Sequence, residues 1–273
     1  MGDLQFREQV QVSGTRDRLA SFFGEVRKEL PKLLQDNREP MDGAQLIYGR
    51  ALGENVTDRM LLRNNYVVIG DVTVLDPAGS DEVLFARYNA NPVAKELVKG
   101  INPKSKLDDW GLEVSRDQYH AIREGAGVLV IPPSAARALR EDVYANPDGI
   151  RAAFWNLASG GDQSALVAYK KMVEDTTGRI FDRNAMGFYP SGRKGLRPVW
   201  VWTVGYYYSD ATVSYGLDVN LARLVGVAAE PLAPEKSGSM LVKPTLDQIM
   251  GVINNPDLNR TGMLDAVSKL YRA

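Results

Sequence analysis

The stretch Tyr66–Leu75 reads YVVIGDVTVL and is dense in the β-branched and aromatic residues that favour β-strands. A second run of the same character, Glu82–Tyr88 (EVLFARY), follows after six residues. Those six, at positions 76–81, are Asp, Pro, Ala, Gly, Ser and Asp, most of which form turns readily. The pattern therefore predicts a β-hairpin with a six-residue loop, whose tip is Pro77–Asp81.

A further strand signal lies at Val199–Tyr208, which reads VWVWTVGYYY. Alternate residues of an extended chain share a face, so the aromatic residues at even positions face one way, and Val199, Val201, Thr203 and Tyr207 face the other way. The aromatic residues on that face are Trp200, Trp202, Tyr206 and Tyr208. Strands are also predicted at 211–217 and 221–228, which completes an antiparallel, aromatic-rich sheet.

Between these strand regions the apolar spacing is mostly helical. Helices are predicted at 93–99, 115–124, 135–144, 150–157 and 163–175, with one short strand at 127–131. No regular strand–helix alternation runs through the chain, which favours the α+β class over repeated strand–helix units. We therefore expect an α+β fold with a hairpin, a helix-rich centre, an aromatic-rich sheet and a helical C-terminal tail.

The two ends of the chain differ from this centre. Residues 1–40 are predicted to form a helical arm, because apolar residues over 15–30 recur at the spacing of one helix face. This face could pack on the domain's own core or on a neighbouring subunit. Residues 41–230 form the predicted main domain, and 231–244, with three prolines and a glycine, form the predicted linker to a helical tail at 245–273.

The composition excludes several kinds of chemistry. There are no cysteines and one histidine, His120, so thiolate nucleophiles, thiolate metal sites and sites with several histidine ligands are excluded. Asp117 and Glu124 share a predicted helix face with His120 and could orient it as a general base, although an ordinary surface histidine fits the same pattern. No nucleophile elbow, zinc-protease motif or phosphate-binding loop occurs, and we expect no cofactor and no metal.

One segment, Arg179–Pro198, concentrates positive charge in a chain whose net charge is -1. It holds five basic residues and one acidic residue, a net charge of +4, and two tryptophans follow it directly. Such a segment can grip a partner protein, or it can bind phosphates and stack bases. It can equally be a solvated loop that leads into a buried strand. The candidate contacts for a polyanion or a partner are Arg179, Arg183, Arg193, Lys194, Arg197, Trp200 and Trp202.

Because catalytic signatures are absent, the sequence favours a non-enzymatic, self-assembling structural subunit, such as a virion shell or filament protein. The expected interface is formed by the terminal helix, the hairpin tip and the basic aromatic loop. The subunit-interface candidates are Leu19, Phe22, Phe23, Val26, Pro77, Gly79 and Asp81. This hypothesis implies a homo-oligomer located in the cytoplasm or in a virion.

Two alternatives remain open. A nucleic-acid or polyanion binding protein would use the basic residues of Arg179–Arg197, with binding that weakens steeply as salt increases. An enzyme would have to rely on carboxylates brought together from distant positions, since adjacent pairs such as Asp108-Asp109 point apart in regular structure. No run of about 18 apolar residues occurs, so we expect no membrane span.

Overall fold

The computed structural model describes residues 19–53, 56–133, 149–177, 186–190, 192–204 and 209–228. Its helices are α1 (Val26–Gln35), α2 (Gly43–Ala51), α3 (Val56–Asn64), α4 (Pro92–Lys99), α5 (Arg116–Glu124), α6 (Ile150–Ala158) and α7 (Gln163–Thr177). The chain divides into two units, Met1–Ala229 and Glu230–Ala273. The second unit, which contains the predicted linker and tail, lies outside the described residues, as do Arg179, Arg183 and the predicted helix at 135–144.

The strands form one mixed sheet with β3 at its centre. They are β1 (Leu19–Gly24), β2 (Arg38–Pro40), β3 (Val67–Leu75), β4 (Val83–Ala86), β5 (Leu107–Asp108), β6 (Gly111–Leu112), β7 (Val128–Ile131), β8 (Phe188–Tyr189), β9 (Leu196–Val201), β10 (Ala211–Thr212) and β11 (Ala222–Ala228). The main path runs β1-β11-β3-β9-β10-β8, with β4 and β7 continuing from β3 on one side. Most pairs are antiparallel, but β11 runs parallel to β3 and β10 runs parallel to β8.

Strand β3 is buried on both faces, which explains its nearly continuous apolar sequence. Val67 and Ile69 belong to the core on one face of the sheet, and Val68 and Val72 to the core on the other. This alternation is the period of two that an extended chain imposes on its side chains. A sheet that is apolar on both faces needs a layer of helices on each side.

Two helical layers supply that cover. On the first face the helices are α2, α3, α6 and α7, whose core side chains are Leu46, Ile47, Leu62, Phe154, Trp155, Leu166 and Tyr169. On the second face they are α1, α4 and α5, whose core side chains are Val26, Leu30, Leu33, Ala94, Val98, Tyr119 and Ile122. The α+β class predicted from the sequence is confirmed. Among the described residues, no helix is both long and apolar enough to cross a membrane.

The predicted hairpin is present. Strands β3 and β4 pair antiparallel, with Thr73 opposite Phe85 and Leu75 opposite Val83. Within the loop, Gly79 has a φ of 86° and Asp81 a φ of 57°, and both values belong to the left-handed region that tight turns require.

The predicted helix at 15–30 is wrong in its first half. Residues 19–24 form strand β1, which pairs along its length with β11, and Phe22 lies opposite Leu224. Helix α1 begins only at Val26, after an extended Glu25. The apolar spacing fitted one face of a helix, but pairing with a strand about 200 residues away decided the backbone, which local spacing does not report.

The aromatic-rich sheet also differs from the prediction. Strand β9 ends at Val201, before Trp202, and β10 contains only two residues in place of the predicted 211–217. Tyr206 and Tyr208 lie outside the described residues. The sheet is mixed rather than antiparallel throughout, because β3 and β11, far apart in sequence, meet in parallel at its centre.

Candidate functional site

Four aromatic rings pack together where strand β9 ends. The buried Trp200 ring lies 5.8 Å from Tyr66 and 4.7 Å from Tyr215, measured between ring centroids. Trp202 is only partly buried and lies 5.7 Å from Tyr66 and 5.9 Å from Tyr215. The two tyrosines therefore bridge the two tryptophans. Burial raises the pKa of Tyr66, and the nearby Arg223 partly opposes that rise.

A second aromatic feature stands beside this cluster, on the turn between β5 and β6. Asp109 and Trp110 have φ angles of 48° and 67°, so two consecutive non-glycine residues occupy the left-handed region. That region costs an L-residue about 1–2 kcal/mol. The Trp110 side chain is 56% exposed, and the Arg193 guanidinium carbon lies 5.9 Å from its ring centroid.

The buried Arg197 side chain contacts this turn and fixes it in place. Its Nη2 donates a hydrogen bond to the Asp109 carbonyl and lies 3.6 Å from the Asp109 carboxylate, while its Nε donates to the Lys194 carbonyl at 3.2 Å. On the other side, the Leu217 amide donates to the Trp110 carbonyl at 2.9 Å. The left-handed turn is thus fixed by contacts from two distant parts of the chain.

Glycine makes the close approach of these segments possible. A Cβ atom at Gly216 would lie 2.6 Å from the Trp110 Cβ. Because Gly216 follows Tyr215 directly, the segment around it links the four-ring cluster to the Trp110 turn. We call this region the aromatic surface, and it consists of the exposed residues Trp110 and Arg193 and the partly buried residues Tyr66, Trp202 and Tyr215.

The charge around the aromatic surface is mixed. Arg193 and Lys194 are exposed, as the sequence suggested, whereas Arg197 is fully buried and offers no surface to a partner. Burial lowers the pKa of Arg197, and nearby Asp109, Asp218 and Asp108 oppose that effect. The fold therefore brings carboxylates from other segments close to Arg197.

The N-terminal interface candidates mostly face inwards. Val26 is 1% exposed in the core, and Leu19 and Phe22 are partly buried against the two core clusters. Phe23 is half exposed, and the Arg223 guanidinium carbon lies 5.6 Å from its ring centroid. The three hairpin candidates are all exposed, and they are Pro77, Gly79 and Asp81.

Two buried carboxylates lie near the N-terminus of α2. Burial, together with neighbouring Asp42, raises the pKa of Asp71 to about 7. Its two carboxylate oxygens accept hydrogen bonds from the Tyr88 amide at 2.8 Å and the Gly43 amide at 2.9 Å. Perturbed acids often mark active sites. Here both oxygens of Asp71 already bind backbone groups and its side chain is fully buried, which is the arrangement of a structural cap.

The other acid–base candidates, Asp117, His120 and Glu124, all lie exposed on α5. His120 lies exposed on α5, with its ring 5.8 Å from the adjacent Tyr119 ring. In the described ranges, no group of three or more His, Cys, Asp or Glu residues is arranged to hold a metal ion.

The sequence reasoning missed Trp110, Tyr66 and Tyr215, whose positions in the aromatic surface depend on contacts between distant segments.

Comparison with known proteins bears on the fold alone. No protein-family model matches the chain, and no curated protein sequence matches it. A solved structure described as "Accommodation of massive sequence variation in Nanoarchaeota by the C-type lectin fold" superposes with a TM-score of 0.55 at 15% sequence identity. The match covers 78% of this chain and 99% of that chain. This domain therefore resembles the C-type lectin fold.

Proposed function

We propose that this chain is a non-enzymatic binding domain that holds a protein partner on the aromatic surface. The observation that carries the proposal is Trp110, a half-exposed indole on a left-handed turn that Arg197 and the Leu217 amide hold in place. Backbone strain of this kind persists only where the surrounding structure enforces it, and it concentrates at functional sites. A pre-positioned indole loses little conformational freedom when it binds.

The composition of the surface favours a protein over a polyanion. Trp, Tyr and Arg are the residues that contribute most to the energy of protein interfaces. A polyanion would require a surplus of accessible positive charge, whereas the aromatic surface has one basic residue, Arg193, and Asp108, Asp109 and Asp218 lie near the buried Arg197. A partner that carries both apolar side chains and charges of both signs fits the aromatic surface better.

The structural neighbour is compatible with this proposal. That structure is described as showing that in Nanoarchaeota the C-type lectin fold accommodates massive sequence variation. A fold that tolerates such variation keeps its core while its surface residues change. A scaffold of this kind suits a binding domain, because the surface determines what is bound.

The proposal can be tested with a displayed library of random 12-residue peptides, selected on the wild-type chain. Selected peptides are expected to bind Trp110→Ala at least tenfold more weakly than wild type, and Arg193→Ala also more weakly, because interface anchors of these types contribute about 1–4 kcal/mol. Binding is measured by titration calorimetry. The matched control is Lys171→Ala, which removes an exposed positive charge on α7 and is expected to leave binding unchanged.

Two outcomes would overturn the proposal. The first is that no peptide is enriched over a parallel selection on Trp110→Ala. The second is that an oligo-dT single strand binds tightly, with a steep salt dependence that Arg193→Ala reduces, since this would favour the polyanion alternative.

Self-assembly is a second candidate function. It is favoured by a separate observation, namely large apolar side chains that α2 and α3 expose to solvent. Exposed apolar side chains that adjoin one another are typical of protein interfaces.

A further inference from the structure

Strand β1 forms one edge of the sheet. In the described part of the chain it pairs only with β11, so one side of its backbone has no neighbouring strand there. In an antiparallel pair, alternate residues direct their N–H and C=O groups towards the partner, and the others direct them away. Half of the six residues of β1 therefore present backbone donors and acceptors at this edge. Another extended segment matches such a row, because its own donors and acceptors have the same spacing.

The sequence of β1 lacks the features that protect an open edge. Leu19–Gly24 reads LASFFG, with no charged residue and no proline. Its pairing with β11 is continuous over all six residues, without a bulge. Edge strands that face water usually carry lysine, proline or a bulge, because an unprotected edge pairs with other chains. The composition of β1 is therefore that of a strand with a neighbour on each side.

The segment that precedes β1 has the pattern of a strand. Residues 4–12 lie outside the described residues and read LQFREQVQV. Every odd position holds a polar residue, and the even positions hold apolar residues except for Glu8, which is the period of two of a half-buried strand. Residues 13–18, SGTRDR, include the serine, glycine and aspartate that turns favour. A strand pattern, turn residues and β1 thus follow one another in the order of a β-hairpin.

The length of the turn segment defines the register of such a hairpin. A loop formed by residues 13–18 places Val12 opposite Leu19. Leu19 packs against one of the two hydrophobic cores, so Val12 would extend that core by one strand. The same register places Glu8 opposite Phe23, whose side chain is 48% exposed. A further strand at this edge would cover part of the exposed Phe23 ring.

Arg223 of β11 supplies a positive charge on the same face of β1. It lies opposite Phe23, and its guanidinium carbon is 5.6 Å from the Phe23 ring centroid. Its Nη1 donates a hydrogen bond to the Ser21 Oγ at 3.2 Å, so both contacts of the guanidinium are with β1 side chains. Its Nε is buried and has no hydrogen-bond partner in the described part of the chain. A carboxylate opposite Phe23 on the next strand would lie beside this guanidinium, and Glu8 occupies that position.

We propose that residues 4–12 form a further antiparallel strand on the open edge of β1 in the same chain, with Glu8 in an ion pair with Arg223. This strand closes the edge of the sheet to other chains. The occupant is this segment because residues 13–18 tether it to β1, which gives it a high effective concentration at that edge. The proposal involves no residue of the aromatic surface, so its test is independent of the peptide-binding test.

A pair of engineered cysteines tests the register directly, since the chain has no native cysteine. In the full chain, Val10→Cys with Ser21→Cys is expected to form an intramolecular disulfide on mild oxidation, measured as the loss of free thiol in the monomer. The matched control, Gln9→Cys with Ser21→Cys, places the first thiol on the other face of the strand and is expected to react at least about tenfold more slowly. Equal rates overturn the proposal. A disulfide-linked dimer as the main product also overturns it, because the strand is then exchanged between copies.

The ion pair is tested in the Val10→Cys, Ser21→Cys background. The equilibrium constant for its disulfide against glutathione reports how stable the pairing with β1 is. Glu8→Arg is expected to lower this constant about twofold to fivefold, as for a partly exposed ion pair, and Arg223→Glu is expected to restore it. Gln5→Arg is the matched control, because it adds the same charge beyond the end of β1 and is expected to change nothing. No loss for Glu8→Arg, or a loss that Arg223→Glu does not restore, overturns the ion pair.

Discussion

Arg50 and Arg197 are both fully buried, and their guanidinium groups differ in how their hydrogen-bonding capacity is used. Arg50 donates to the Leu62 and Asn65 carbonyls and to the Tyr169 and Ser209 hydroxyls, at distances between 2.8 and 3.0 Å. It thereby joins α2, α3, α7 and the segment before β10. All three of its nitrogen atoms have acceptors.

Arg197 is satisfied less completely. Its Nε and Nη2 donate to backbone carbonyls, whereas its Nη1 is buried and has no hydrogen-bond partner in the described part of the chain. The turn that it holds contains Asp109 and Trp110, both in the left-handed region. The comparison shows that one buried arginine joins core elements to one another, while the other supports a strained surface turn. Stability is therefore expected to depend mainly on the first and partner binding on the second.

The largest expected effect is that of Arg50→Met. The substitution removes the donor from two buried backbone carbonyls and removes one hydrogen bond from each of the Tyr169 and Ser209 hydroxyls, which still bond each other, so the free energy of unfolding is expected to fall by about 3–5 kcal/mol. Urea unfolding followed by circular dichroism measures the change. The matched control, Arg63→Met, removes one hydrogen bond to the Arg50 carbonyl and is expected to have a smaller effect. A loss below about 1 kcal/mol for Arg50→Met would contradict the role of Arg50 in the core.

A smaller loss of stability is expected for Arg197→Met. The variant loses two hydrogen bonds to carbonyls but also removes the unpartnered Nη1, so we expect the free energy of unfolding to fall by about 1–3 kcal/mol. The same variant is expected to weaken peptide binding as strongly as Trp110→Ala does, because the turn is no longer fixed. Urea unfolding and calorimetry test the two effects separately. If Arg197→Met loses as much stability as Arg50→Met and keeps full binding, the contrast between the two arginines is wrong.

The smallest expected effect is a pH dependence of stability that arises from Asp210, which is adjacent in sequence to the Arg50 partner Ser209. Burial raises the pKa of Asp210, which follows Ser209, to about 6 from an ordinary value of 3.8. The folded chain therefore holds this proton more tightly than the unfolded chain does. Its contribution to stability is complete at low pH and is lost as the pH rises from about 4 to about 6.

Asp210→Asn isolates that contribution. The asparagine oxygen can still accept the hydrogen bond that the Gly187 amide donates to the Asp210 Oδ1. Urea unfolding at a series of pH values is expected to show that the free energy of unfolding declines less in Asp210→Asn than in the wild-type chain between about pH 4 and about pH 6. Asp71, whose pKa is also raised, remains in both proteins, so identical pH profiles would show that Asp210 does not titrate as expected.

Several elements could be predicted because their signals are local. The hairpin of β3 and β4 follows from two β-branched runs around a turn cluster, and α5 begins at Arg116, directly after Ser115, which caps it in a capping box that Gln118 completes. Helix α2 has an equally local signal in the capping box of Asp42 and Gln45. The sequence analysis did not predict this helix, because glycines at 43, 49 and 53 are typical of turns and loops. In the structure Gly49 serves close packing rather than helix termination.

The candidate site could be predicted only in part. The sequence drew attention to Arg193, Lys194 and Trp202, which the structure places at or beside the aromatic surface. It gave no sign of Trp110, because that turn is held by Arg197 and Leu217, each separated from it by many residues. A contact between distant segments leaves no periodicity in either one.

The amino-acid sequence by itself determined the α+β class, the central hairpin, several helix boundaries and the exclusion of thiolate and multi-histidine chemistry. These follow from composition and from side-chain periods of 2 and 3.6 residues, which depend only on the local backbone. The tertiary structure alone decided that residues 19–24 form a strand, that Arg197 is buried and that Trp110 is exposed. Each of those outcomes depends on which distant segment packs against the residue.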